Sequence, residues 1–89
     1  MLRLEVREAE GNLEISVDGW LSGSDVATLR YEVDRRRGGH GTITLDLTGL
    51  RHVDEAGLQL LNDLRAEAVQ LRAGSPFIRM LLGLGDHAR

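Results

Sequence analysis

The residues whose types and spacing suggest a site lie in Thr42 to Leu61, TITLDLTGLRHVDEAGLQLL, where an alternating strand runs into a turn that ends at Asp54-Glu55-Ala56-Gly57. Acid–base catalysis needs two carboxyl groups held to face one reacting bond, and nothing in the spacing pairs Asp46 with Asp54 in that way. His40 and His52 fall in loops and His87 in the tail, without the spacing of metal ligands, and there is no cysteine. No nucleophile-and-base constellation or phosphate-cradling glycine loop is present. These absences predict a protein that is not an enzyme and takes no metal or cofactor. The chemistry left is recognition, centred on Asp54-Glu55-Ala56-Gly57-Leu58. Asp54 suits a helix N-cap, where its carboxylate would accept from free backbone N–H groups. Glu55 places a permanent negative charge at the positive end of the same helix. Gly57 leaves backbone uncovered, open to close approach by the sheet or by a partner.

The flanking elements must hold that turn. Leu2, Leu4 and Val6 alternate with Arg3, Glu5 and Arg7, and Leu13, Ile15 and Val17 repeat the pattern. This period of two predicts a β-hairpin turning within Glu8–Asn12 and closing at Gly19-Trp20-Leu21, with Trp20 packed on the core or its edge. Ser22-Gly23-Ser24-Asp25 reads as a helix start with either serine as cap, followed by Val26, Leu29 and Val33 on one face. Arg35-Arg36-Arg37 and Gly38-Gly39 end that helix. Ile43, Leu45 and Leu47 mark a third strand, and Leu58, Leu60, Leu61 and Leu64 a second helix from Asp54 or Glu55. Val69, Leu71 and Ala73 predict a short fourth strand in preference to a helix continuing to Leu71. Ser75-Pro76 opens a last helix whose apolar face is Phe77, Ile78, Leu81 and Leu82. The order β-β-α-β-α-β-α predicts an α/β domain: a mixed four-stranded sheet with helices mainly on one face.

Eighty-nine residues make one domain, 1–89, with 86–89 read as a flexible tail. The net charge of −3 does not favour nucleic acid, and the arginine run is too short to argue for it. No apolar run is long enough to span a bilayer, and the N-terminus alternates charged and apolar residues, unlike a signal peptide. The expected location is the cytoplasm, without direct membrane insertion.

Three motifs in this order carry a family resemblance over nearly the whole chain. They are Gly19-Trp20-Leu21 before the serine-rich helix start, Leu45-Asp46-Leu47 with Val53-Asp54-Glu55-Ala56-Gly57-Leu58, and the stretch Ser75 to Leu82 opening with Ser-Pro. Together they resemble the STAS domain family, typified by bacterial anti-sigma-factor antagonists. Its central signature runs Asp-Ser-x-Gly-Leu, matched here at Asp54, Gly57 and Leu58. Glu55 stands where the best-known members carry a phosphorylatable serine.

The resemblance implies a non-catalytic protein–protein interaction module that regulates transcription by partner switching. Its expected partner is a kinase-like anti-sigma factor, bound through Asp54, Glu55, Ala56, Gly57 and Leu58 with Ser22 and Ser24. Phosphorylation of the usual serine adds roughly −1.5 to −2 charge and breaks the contact; Glu55 cannot be phosphorylated, so switching is not expected at this position. Thr48, Ser22 and Ser24 are the other hydroxyls near that end of the sheet, as phosphoacceptors or as caps and turn bonds. The alternative is a STAS accessory subunit of a transporter or signalling assembly, which would need a sizeable apolar surface patch. The sheet has open edges, so a homodimer is compatible with the sequence.

Overall fold

A computed structural model of the chain describes residues 2–39 and 41–83. The elements run β1 (Leu2–Ala9), β2 (Asn12–Leu21), α1 (Ser24–Arg36), a 3-10 turn (Arg37–Gly39), β3 (Ile43–Asp46), β4 (Leu50–Val53), α2 (Glu55–Ala66), β5 (Gln70–Arg72) and α3 (Pro76–Leu82). The expected order holds, with one more strand than the sequence led us to expect: the mixed sheet has five strands, not four. β4 was hidden because its burial does not alternate. Leu50 is buried, while Arg51 and His52 are exposed. His40, His87 and the tail at 86–89 lie outside the described residues.

The β1–β2 hairpin closes on Glu10 and Gly11, both at positive φ (56° and 82°). Two such residues match the right-handed twist of the strands they join. β2 then pairs in parallel with two successive strands along one side, β3 at Leu13–Ser16 and β4 at Gly19–Leu21. The hand-over occurs where Gly19 N–H donates to the Gly49 carbonyl at 2.9 Å. A Cβ on Gly49 would lie 1.9 Å from Asp18 Oδ1, so a larger residue there would have to push the Asp18 side chain out of this corner.

One face of the sheet carries the core. Leu13, Ile15 and Val17 of β2 and Ile43, Leu45 and Leu47 of the β3 segment meet Leu29 and Val33 of α1, Leu60, Leu61 and Leu64 of α2, and Ile78 and Leu82 of α3. All these strand residues are odd-numbered, so all three helices pack on the same face. The opposite face is polar, with Glu14 held between Arg7 and Arg72. β5 confirms the expected fourth strand in chain order after α2, since α2 ends at Ala66 and Ala68 takes a φ of 75°.

Two packing expectations require correction. Trp20 is not packed into the core; it is 53 % exposed and tilts against His52 with ring centroids 5.1 Å apart. Trp20 is even-numbered and so lies on the side of β2 away from the helices, while Leu21 is buried; the register shift here leaves Arg51 of β4 as the extra residue. In α3 only Ile78 and Leu82 are buried, because a seven-residue helix lays one four-residue stripe on its neighbours. Phe77 and Leu81 remain exposed.

Candidate functional site

β2, β3, β4 and β5 are parallel, so the helices that follow them begin at one edge of the sheet. Open α/β sheets present their binding sites at this carboxyl edge. β4 delivers the chain to Asp54, whose N–H donates to the Leu21 carbonyl at 3.2 Å and fixes the turn against the end of β2.

The Asp54 carboxylate then does two things. Its Oδ1 accepts from Gly57 N–H at 2.7 Å, capping α2 as the sequence predicts. Its Oδ2 accepts from Gly23 N–H at 3.1 Å, at the N-cap of α1. One side chain therefore ties together the starts of two helices that are 31 positions apart in sequence. The Gly57 and Gly23 hydrogen bonds, in that order, hold the Asp54 carboxyl below its ordinary value.

Gly23 corrects the expected serine cap. It is itself the N-cap of α1, with φ 59° and ψ −133°, and no side chain caps that helix. The backbone shape favours glycine, and Asp54 comes from a distant element to satisfy a free N–H. Ser22 and Ser24 take part through their carbonyls, which accept from Asp25 N–H and Thr28 Oγ1. Ser22 is half-buried and Ser24 exposed.

Gly57 is buried by close packing. A Cβ there would stand 2.6 Å from the Leu21 carbonyl oxygen and 2.7 Å from Val53 Cγ2. Leu58 is half-buried against the core, whereas Glu55 and Ala56 are exposed on the first turn of α2. Thr48 lies in the β3–β4 loop, its N–H donating to Asp46 Oδ1 at 3.1 Å. Partial burial acts to raise the Asp46 carboxyl. The Thr48 backbone and hydroxyl hydrogen bonds, with Arg72 and Arg7 nearby, outweigh it and leave that carboxyl lowered.

Three features of this edge were not legible as site residues. Trp20 and His52 are neighbours only because β2 and β4 pair at that register. Phe77 lines a shallow recess with Ser75, the Thr48-Gly49 turn and the start of β4. The Gly23–Asp54 bond had only a weak sequence signal, the glycine set between two serines. Among the described residues no cluster of His, Cys, Asp or Glu could hold a metal ion, and no helix is long and apolar enough to cross a membrane.

Comparison with known proteins agrees with this architecture. The family model described as Mlab, STAS domain, matches residues 4–84. The solved structure of the anti-sigma factor antagonist SpoIIAA in its unphosphorylated form is similar with a TM-score of 0.67 and 22 % identity, covering 96 % of this chain and 84 % of that one. A structure of Mglu is similar with a TM-score of 0.65 and 18 % identity, covering 81 % of this chain but 19 % of the Mglu chain. At these identities the likeness speaks for the fold. No curated protein sequence matches the chain.

Proposed function

The chain belongs to the STAS domain family, and from that premise we propose that it is a non-catalytic interaction module of the anti-sigma-factor-antagonist kind. It regulates transcription in the cytoplasm by partner switching, with a kinase-like anti-sigma factor as partner. The single observation that carries this reading is the Asp54 clamp. It holds the signature turn rigidly at the carboxyl edge while leaving Glu55 and Ala56 exposed. A rigid turn loses little conformational entropy when a partner docks on it. The contact surface is Asp54, Glu55, Ala56 and Leu58 with Ser22 and Ser24, shaped by the buried Gly57 beneath it, and Trp20 adds an aromatic anchor of the kind that dominates binding energy.

Glu55 makes the charge at this surface permanent. Partner affinity is then not switched by phosphorylation of the turn. The test is partner capture from the native host, then affinity measurements on wild type, Glu55→Ser and Glu55→Ala, and mass spectrometry after incubation with the captured kinase. Affinity altered at least several-fold by Glu55→Ala, and no phosphate within Asp54–Leu58 of the wild type, are the expected results. Unchanged affinity in both variants sinks the fixed-charge role.

One observation favours the accessory-subunit reading as a second proposal. The outer side of α3 presents Phe77, Met80 and Leu81 together, Phe77 being 56 % and Met80 73 % exposed. Contiguous exposed apolar residues mark interaction surfaces. Co-purification with a transporter ATPase, abolished by Met80→Asp, would decide for this alternative.

A further inference from the structure

β1 is a lateral edge of the sheet: among the described residues it pairs with β2 alone, through eight consecutive partners from Leu2↔Gly19 to Ala9↔Asn12. It contains no proline and its register is unbroken. Such an edge presents a row of open N–H and C=O groups that can template another strand.

The side chains of β1 fall into two rows. Leu2, Leu4 and Val6 oppose Gly19, Val17 and Ile15, on the helix-bearing face. The helices cover this row incompletely, since Leu2 and Leu4 are half-buried and Val6 is 37 % exposed. Arg3, Glu5 and Arg7 oppose Asp18, Ser16 and Glu14, on the polar face. Arg7 is bonded to Glu14. Arg3 and Glu5 are exposed and have no ion-pair partner among the described residues.

We propose that β1 is the contact between two copies of this chain, paired antiparallel about a two-fold axis through Leu4. This alignment sets Arg3 against Glu5 of the second copy and Glu5 against its Arg3. It sets Leu4 against Leu4, and Leu2 against Val6 in both directions. Every charged residue meets its opposite, and the apolar row continues across the axis beneath both sheets. Neighbouring alignments fail on the same side chains. Centring on Glu5 opposes Glu5 to Glu5 and Arg3 to Arg7, like charges that destabilise a cross-strand pair. A one-residue slip opposes Leu4 to Glu5 and mixes the two faces. Centring on Val6 opposes Glu5 to Arg7, but it sets Leu4 against Glu8 and draws on Arg7, which is already bonded to Glu14, so the charges and the apolar row together favour the register through Leu4. The two sheets become one, and the carboxyl edge carrying Asp54 and Glu55 is not required for the contact, so this inference stands independently of the proposed partner.

A pairing of five residues per copy is small beside the ~1,200–2,000 Å² of a standard interface, so the dimer is weak and reversible. Sedimentation equilibrium of the full chain at low salt, up to about 1 mM, the weak end of specific affinities, reads it directly. Wild type is expected to show a monomer–dimer equilibrium that weakens with added salt. Arg3→Glu and Glu5→Arg each turn two attractive pairs into two repulsive ones and are expected to weaken it roughly tenfold or more. An equimolar mixture of the two single variants restores both attractions and is expected to form heterodimers, as is the double exchange alone to form homodimers. Circular dichroism checks that these surface variants stay folded. A wild type that remains monomeric throughout, single variants that dimerise like wild type, or a mixture that does not associate would each overturn the proposal.

Discussion

At the scale of single residues, Asp54 and Gly57 divide the work of the signature turn. Replacing an N-cap carboxylate by alanine costs about 0.5–2 kcal/mol. Asp54 also serves Gly23, so Asp54→Ala should lower the urea midpoint more than the loss of a cap that serves a single helix start. Asp54→Asn should lose less because its amide oxygen can still accept one of the two bonds, though its amide nitrogen cannot replace the second carboxylate oxygen. Gly57→Ala forces a methyl group against the Leu21 carbonyl, a backbone atom with little room to move. Overpacking of this kind costs about 1–3 kcal/mol. The same measurement should show that loss while the far-ultraviolet spectrum stays unchanged.

At the scale of elements, the three helix starts are capped in three ways. α2 uses its own Asp54, α3 uses Ser75 Oγ, which accepts from Ile78 N–H at 3.5 Å, and α1 has no side-chain cap of its own. Ser22→Ala and Ser24→Ala should therefore change stability by less than about 0.5 kcal/mol. Ser75→Ala should cost about 0.5 kcal/mol, the low end for a cap, because its bond is long. Thermal melts of the three variants separate these outcomes. The far end of α1 is tied differently. Glu67, just after α2, accepts from Arg37 at 2.7 Å and from Arg30 at 3.2 Å, so a charged cluster fastens the end of α2 to α1 and its 3-10 turn.

At the scale of the whole molecule, carboxylates outside the core set the response to acid. Hydrogen bonds from Gly57 and Gly23 lower Asp54, and those from Arg37 and Arg30 lower Glu67. Asp46 is also lowered, through its Thr48 bonds outweighing burial. A depressed folded-state value means that the unfolded chain binds more protons in that window, so stability rises with pH there. The contribution is present above the ordinary values, 4.5 for Glu67 and 3.8 for both aspartates, and is lost as pH falls through the lower folded values. Urea midpoints should hold steady from pH 7 to about pH 5 and drop below that. The drop should be shallower in Asp54→Asn, which has no proton to take up at this position.

Local physics made much of this molecule legible in its sequence. Alternation placed Leu13, Ile15 and Val17 on one face, and helical spacing found Leu29, Val33, Leu61 and Leu64, because burial of apolar area imposes those periods on any strand or amphipathic helix. Asp54 as the cap of α2 was legible too, since donor and acceptor lie three positions apart. Contacts between distant segments were decided only by the tertiary structure. β4 exists because β2 offers it a partner after β3 departs, and no alternation in Leu50–Val53 announces it. Trp20 lies on the helix-free side of β2, as the alternation that buries Val17 and Leu21 requires, and only the pairing with β4 sets His52 beside it. Gly23 caps α1 where a serine was expected, because a carboxylate from 31 positions away satisfies its N–H. Periodicity records which face of an element is apolar; which element arrives on that face, and at what register, depends on the packing of the whole chain.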